Sequence, residues 1–191
     1  AYLLIYEDLP NTSQLQNYRN KLISLRKIPD ALKQTLENIP GDTQPMDVMR
    51  TACSMLGTLE PEHSFEQQHD IADRLIALFP AILCYWYNFN KSGERIDTEL
   101  ENQSTSSYFL RMLHGREVEE LKIEVLDTSM VLYAEHEFNA STFAARVTAA
   151  TLSDFYSAIC SAIGTLRGPL HGGANEEALK LIHQFETVME A

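Results

Sequence analysis

The sequence has 191 residues, 45% of them apolar, with only 8 glycines and 7 prolines, so it can bury a sizeable core and is not a disordered chain. Its formal charge of −12 excludes nonspecific binding to nucleic acid or to an anionic membrane, because the long-range field repels both. Any anionic ligand must be met by a local group of Arg, His and backbone N–H.

Residues 1–6 read as the end of a helix stopped by Asp8-Leu-Pro10. Thr12 and Ser13 offer N-caps, and Ser13 with Gln16 fits a capping box ahead of Leu15, Tyr18, Leu22, Ile23 and Leu25. The basic end of this helix, Arg19, Lys21, Arg26 and Lys27, reads as a solvated face from which one cation could reach an anionic ligand. Pro29-Asp30 caps a short helix through Leu36, and Pro45 opens the next, with Val48, Met49, Ala52, Met55 and Leu56 at helical spacing. Asp47 and Arg50 lie one turn apart there and can form a local ion pair.

A long helix runs from residue 65 to about 88 and is expected to kink or break near Pro80. Its apolar run 75–87 is too short to span a bilayer. After the loop Asn90-Lys-Ser-Gly-Glu94, residues 104–113 form a helix closed by His114-Gly115. Residues 118–137 carry a broad apolar face, and Asn139 or Ser141 caps a helix from 142 to about 150. Ser153-Asp154 caps a small-residue helix over 155–163, and a final helical pattern spans 176–190. No window shows sustained period-2 alternation, so the expected fold class is all-α, a multi-helical bundle forming a single helical domain. The chain opens on Ala1-Tyr-Leu-Leu-Ile and closes inside a helical pattern, which suggests a piece of a longer protein.

Between the last two helices lies Gly164-Thr-Leu-Arg-Gly168-Pro-Leu-His171-Gly172-Gly173-Ala-Asn175, where glycines and a proline surround one histidine. Such a stretch is either an interhelix turn or a place where the backbone approaches a ligand closely. The positive end of the following helix disfavours an imidazolium, so a histidine here can donate one hydrogen bond to a polarised carbonyl. His136 lies at another helix boundary, while His63, His69 and His183 sit in polar surroundings and His114 ends a helix. Neither His-x-x-x-His nor a paired Cys and His occurs, which argues against a metal site. Cys53, Cys84 and Cys160 are expected to be buried thiols, a usage that permits the cytoplasm. Without a nucleophile elbow or a phosphate-binding loop, the remaining chemistry is acid/base or hydrogen-bond work on a carbonyl, with His171 polarising it and His136 contacting a second group.

Gly168-Pro-Leu-His171-Gly-Gly-Ala-Asn175-Glu and Tyr133-Ala-Glu-His136-Glu-Phe-Asn139-Ala-Ser-Thr142 resemble the two histidine motifs of citrate synthases, and the likeness extends through Pro45-Met-Asp-Val-Met-Arg50-Thr and Leu83-Cys-Tyr-Trp-Tyr87. Glu135-His-Glu-Phe-Asn139, Tyr85-Trp-Tyr87 and Gly93-Glu-Arg-Ile96 are most similar to the 2-methylcitrate synthase branch. The resemblance implies the family's large helical domain, condensation of an acyl-CoA with oxaloacetate, and no cofactor, the CoA thioester being a substrate. It implies that His171 hydrogen-bonds the thioester carbonyl, that His136 binds oxaloacetate with Asn139 in support, and that Lys21 is a more distant basic contact. A homodimer is implied too, in which the small-residue segments 144–150 and 157–162 could pack closely. Acetyl-CoA in place of propionyl-CoA is the alternative within the family, and a non-catalytic helical dimerisation domain is the alternative outside it.

Where family members usually have histidine before Pro-Met-Asp, this chain has Gln44. The family's small domain and its second catalytic histidine, aspartate base and substrate arginines are implied to follow the glycine-rich motif beyond Ala191. The 191-residue chain by itself is therefore expected to lack synthase turnover.

Overall fold

A computed structural model describes residues 1–100, 104–185 and 187. The described residues are helical and irregular, without a strand. The chain divides into two compact units, Ala1–His136 and Glu137–Ala191.

The first unit is built around α5 (Gln68–Ser92), against which α2 (Thr12–Ser24), α3 (Asp30–Glu37), α4 (Pro45–Leu59) and α6 (Thr105–His114) all pack. A short α1 (Tyr2–Tyr6) precedes them and α7 (Glu120–Leu132) follows. The core is Leu32 and Leu36 of α3, Val48, Ala52, Cys53 and Leu56 of α4, and Leu75, Leu78, Ile82, Cys84, Tyr85 and Trp86 of α5. Each large apolar side chain removed from water contributes roughly 1.5–3 kcal/mol. That burial explains why α5 continues through Pro80 without the break that was one of the two expected outcomes. The missing N–H and the ring clash cost about 3 kcal/mol, which the fully buried Leu78, Ala81 and Ile82 on either side offset.

Local chemistry sets the ends. The capping box of α2 is formed by Asn11 with Gln14, not by Ser13 with Gln16. Asn11 Oδ1 accepts from the Gln14 N–H at 2.9 Å, and Gln14 Oε1 accepts from the Asn11 N–H at 2.9 Å. The reciprocal Asn11–Gln14 pair starts the helix before Ser13 can cap it, and Gln16 instead donates to Asn20 Oδ1 at 3.0 Å. Gln44 caps α4, its Oε1 accepting from Met46 N at 2.6 Å and Asp47 N at 3.3 Å. Arg50 pairs with Asp47 at 2.9 Å as the spacing suggests.

Asp73, fully buried on α5, ties down the N-terminal helices. Its carboxylate accepts from Tyr6 Oη at 2.6 Å, Tyr18 Oη at 2.7 Å and Lys21 Nζ at 2.7 Å. Burial and the adjacent carboxylate together push the Tyr18 phenol well above its usual range. The Tyr2, Tyr6 and Tyr18 rings pack against one another above this group, 4.7–5.8 Å between centroids. Arg26 is buried instead of solvated. Its guanidinium lies 3.8 Å from the Tyr108 ring centroid and donates to the Leu100 carbonyl at 2.7 Å, while Tyr108 Oη donates to the Thr98 carbonyl at 2.6 Å. A planar cation can stack on a ring and keep a hydrogen bond, which is what lets arginine go inside here. Tyr85 and a two-pronged Arg95 both hold Glu37, keeping its carboxyl below the usual range.

Helix α7 is shorter than the expected 118–137. Its last residue is Leu132, because the chain must turn through residues 133–138 to reach Asn139. It has no buried residue, and Leu121, Val125, Val131 and Leu132 are exposed.

In the second unit α8 (Ala140–Ala149) and α9 (Phe155–Leu166) pack along one another. Their small residues permit close approach, and Thr148 Oγ1 donates to Ser161 Oγ at 2.8 Å between them. Asn139 caps α8 and Asp154 caps α9. The final helix, α10 (Gly173–Ile182), starts three residues before the expected point; apart from Thr187, the expected stretch beyond residue 185 lies outside the described residues. Among the described residues no helix is long and apolar enough to cross a membrane.

Asp73→Ala is expected to destabilise the chain by about 3 kcal/mol, since it leaves two phenols and an ammonium without their shared acceptor. Urea unfolding should show a lower midpoint at unchanged slope.

Candidate functional site

The glycine-rich stretch becomes a tight turn between α9 and α10. The Gly168 carbonyl accepts from the His171 N–H at 3.0 Å and the Gly173 N–H at 3.2 Å, folding the chain back on itself. Gly172 is required by space. A Cβ there would lie 2.3 Å from the Leu166 carbonyl oxygen, closer than any side chain tolerates. This turn leaves His171 half-buried, while its neighbour Leu170 is 99% exposed.

The His171 ring is oriented by α8. Ser141 Oγ and His171 Nε2 are 2.7 Å apart. When the hydroxyl donates, Nε2 is the acceptor nitrogen, and the ring proton must sit on Nδ1, where it can be donated to an oxygen. In that tautomer the imidazole, held at one nitrogen by Ser141, has its other nitrogen available to polarise a carbonyl.

Ser141 was visible in the sequence only as a possible cap. Asn139 takes that role, its Oδ1 accepting from Thr142 N at 3.0 Å and its Nδ2 donating to Thr142 Oγ1 at 3.1 Å. With Asn139 as cap, Ser141 falls in the first turn of α8, where its hydroxyl is available to His171. No short-range spacing signals a partnership across 30 residues.

His136 is exposed at the end of the first unit, its ring edge-on to Tyr133 at 5.7 Å between centroids. Lys21 lies between Asp70 and Asp73, 2.7 Å from each. Burial pulls its ammonium down, but hydrogen bonds to the two carboxylates outweigh that and leave it above its ordinary value. A cation shared by two carboxylates presents no net positive charge to an anion, so Lys21 is engaged structurally. Cys53 and Cys84 are buried, and burial pushes the Cys84 thiol up to about 12, far from a reactive thiolate. Cys160 is only partly buried.

The family model for the citrate synthase C-terminal domain matches residues 1–191. A 2-methylcitrate synthase of Shewanella oneidensis is 57% identical over 191 residues, which are all of this chain and 51% of that protein. A citrate synthase of Heyndrickxia coagulans is 37% identical over 193 residues, covering 98% of this chain and 51% of its own length. Among solved structures, citrate synthase from Thermoplasma acidophilum, in a ternary complex with carboxymethyl coenzyme A and oxaloacetate, superposes with a TM-score of 0.88 at 28% identity, over 97% of this chain and 49% of that one. The chain thus spans about half the length of the relatives it matches.

Gly172→Ala is expected to cost about 1–3 kcal/mol, as overpacking does, and to displace the His171 ring from Ser141. The shift should be read from the His171 ring resonances together with the unfolding midpoint.

Proposed function

The chain belongs to the citrate synthase family, and on that premise we propose that it is part of an enzyme that condenses an acyl-CoA with oxaloacetate. Propionyl-CoA is the acyl donor in this reading. The reaction joins the acyl α-carbon to the ketone carbon of oxaloacetate, and water then cleaves the thioester to give 2-methylcitrate and CoA. The observation that carries the proposal is the 2.7 Å Ser141–His171 contact at the close glycine turn. It supplies the one thing enolisation of a thioester needs from a neutral donor: a hydrogen bond to the oxygen that gains charge when the α-proton leaves. A carboxylate base to take that proton is the remaining requirement.

His136 is proposed to contact oxaloacetate, and Asn139 to support the site by ordering the start of α8. The choice of propionyl over acetyl donor is supported by the 2-methylcitrate synthase relative that spans all of this chain. The partner proposed is a second copy of the protein. Val125, Val131 and Leu132 of α7, and Phe143 and Val147 of α8, are exposed and apolar, and covering such area stabilises by about 25 cal/mol per Å².

His171→Ala in the full-length protein is expected to lower kcat at least ~10²-fold, as loss of a carbonyl-polarising donor does. Ser141→Ala, which frees the ring to rotate and change tautomer, should lower kcat by about 10-fold with little change in the KM for oxaloacetate. Unchanged rates in both variants would remove His171 from the chemistry.

Donor choice is decided by CoA release from propionyl-CoA and acetyl-CoA by the full-length protein in the presence of oxaloacetate. The propionyl donor is expected to be favoured in kcat/KM by about 10- to 200-fold, the scale of one methylene in an apolar pocket. The reverse order would assign acetyl-CoA, and release from neither would favour a non-catalytic dimerisation domain.

A further inference from the structure

The second unit holds a further polar bridge between its helices, apart from the one at His171. Thr148 Oγ1 and Ser161 Oγ are 2.8 Å apart, both half-buried where α8 packs on α9. Thr148 lies about two helical turns beyond Ser141 and so on the same stripe of α8. That stripe, Ser141, Ala144, Ala145 and Thr148, is half-covered, while Phe143, Arg146 and Val147 stand exposed.

Each hydroxyl also faces a carbonyl of its own helix, Ala144 at 3.1 Å for Thr148 and Ser157 at 3.0 Å for Ser161. A hydroxyl has one proton to give and lone pairs with which to accept. Thr148 can therefore donate to Ser161 while Ser161 donates to the Ser157 carbonyl, or Ser161 can donate to Thr148 while Thr148 donates to the Ala144 carbonyl. The link between the helices survives in either arrangement. Small side chains form shallow ridges that resist sliding poorly. A directional bond among them decides the register, as one buried polar residue does in a coiled coil.

The Ser161 end of the bridge is tied to the histidine turn by successive hydrogen bonds. Thr165 Oγ1 donates to the Ser161 carbonyl at 2.8 Å, the Gly168 N–H to the Thr165 carbonyl at 3.1 Å, and the His171 N–H to the Gly168 carbonyl at 3.0 Å. A slip of α8 along α9 by about 0.5 Å would carry Ser141 Oγ and His171 Nε2 from their 2.7 Å separation to the limit of a good hydrogen bond.

We infer that Thr148 and Ser161 are positioning residues: their hydrogen bond fixes the register of α8 on α9 and so holds Ser141 within reach of the His171 ring. The kinetic consequence rests on the proposed condensing activity, in which His171 polarises the thioester carbonyl. Both hydroxyls act through Ser141, without bonding the His171 ring themselves.

The test uses Thr148→Val, Thr148→Ser, Ser161→Ala, Ser141→Ala and the double variant Ser141→Ala with Thr148→Val, all in the full-length protein. Thr148→Val keeps the shape and removes the hydroxyl, and Ser161 retains the Ser157 carbonyl, so the unfolding midpoint should move little. The expected loss is about 2- to 5-fold in kcat with little change in the KM for oxaloacetate, the scale of one neutral hydrogen bond. The His171 ring nitrogen signals, assigned by their absence in His171→Ala, should shift towards their positions in Ser141→Ala. Ser161→Ala opens the same bridge from α9 and should reproduce both effects, whereas Thr148→Ser keeps the hydroxyl and should restore both readouts. The double variant should be no slower than Ser141→Ala, because the bridge then has nothing left to position. Ring signals unmoved in Thr148→Val, effects that add in the double variant, or a kcat loss that follows the unfolding midpoint across the series would overturn the inference. Shifted ring signals in a protein that condenses no acyl-CoA with oxaloacetate would support the bridge and sink the proposed activity.

Discussion

The first unit depends on one buried carboxylate. Asp73 has no exposure to water, and a charge in that position is tolerated only because three donors meet it. Those donors come from α1 and α2, so satisfying the charge and docking the N-terminal helices are the same event. The group also accounts for Lys21. An ammonium on a helix of mixed polarity looks free in the sequence, yet here it completes the coordination of an acid on another helix. Arg26 follows the same logic, its charge made compatible with the interior by a ring face and a carbonyl.

Much of the fold was legible because it rests on local chemistry. Pro45, Gly115, Asn139 and Asp154 start or stop helices through groups within a few residues of themselves, and the helix periods around them follow. Where the reading departed, the deciding interaction was either a near-equivalent local rival or a distant partner. Asn11 and Ser13 can both cap, and Asn11 wins because Gln14 returns its hydrogen bond. Pro80 has a poor propensity for a helix interior, and the core on both sides overrides it.

The candidate site divides in the same way. The turn that carries His171 was legible because glycine and proline break the helical pattern there. Ser141 was not, since its contact with His171 spans 30 residues and its type suits a cap equally well. The left-handed backbone of Glu137, at φ 54°, was hidden for another reason. Glutamate carries no preference for left-handed backbone, so only the three-dimensional path of the turn reveals it.

The α8–α9 pairing also bears on the order of assembly. Its two helices are joined by the short connection 150–154, and their bridging hydrogen bond links residues 13 apart, whereas the Asp73 group joins residues 52 to 67 apart. Closing a short loop loses less chain entropy, so contacts of the first kind form sooner in a folding chain than those of the second. The scaffold that presents Ser141 to His171 is thus the kind of structure that can condense during synthesis from its own segment. It need not wait for the N-terminal helices to find their distant carboxylate.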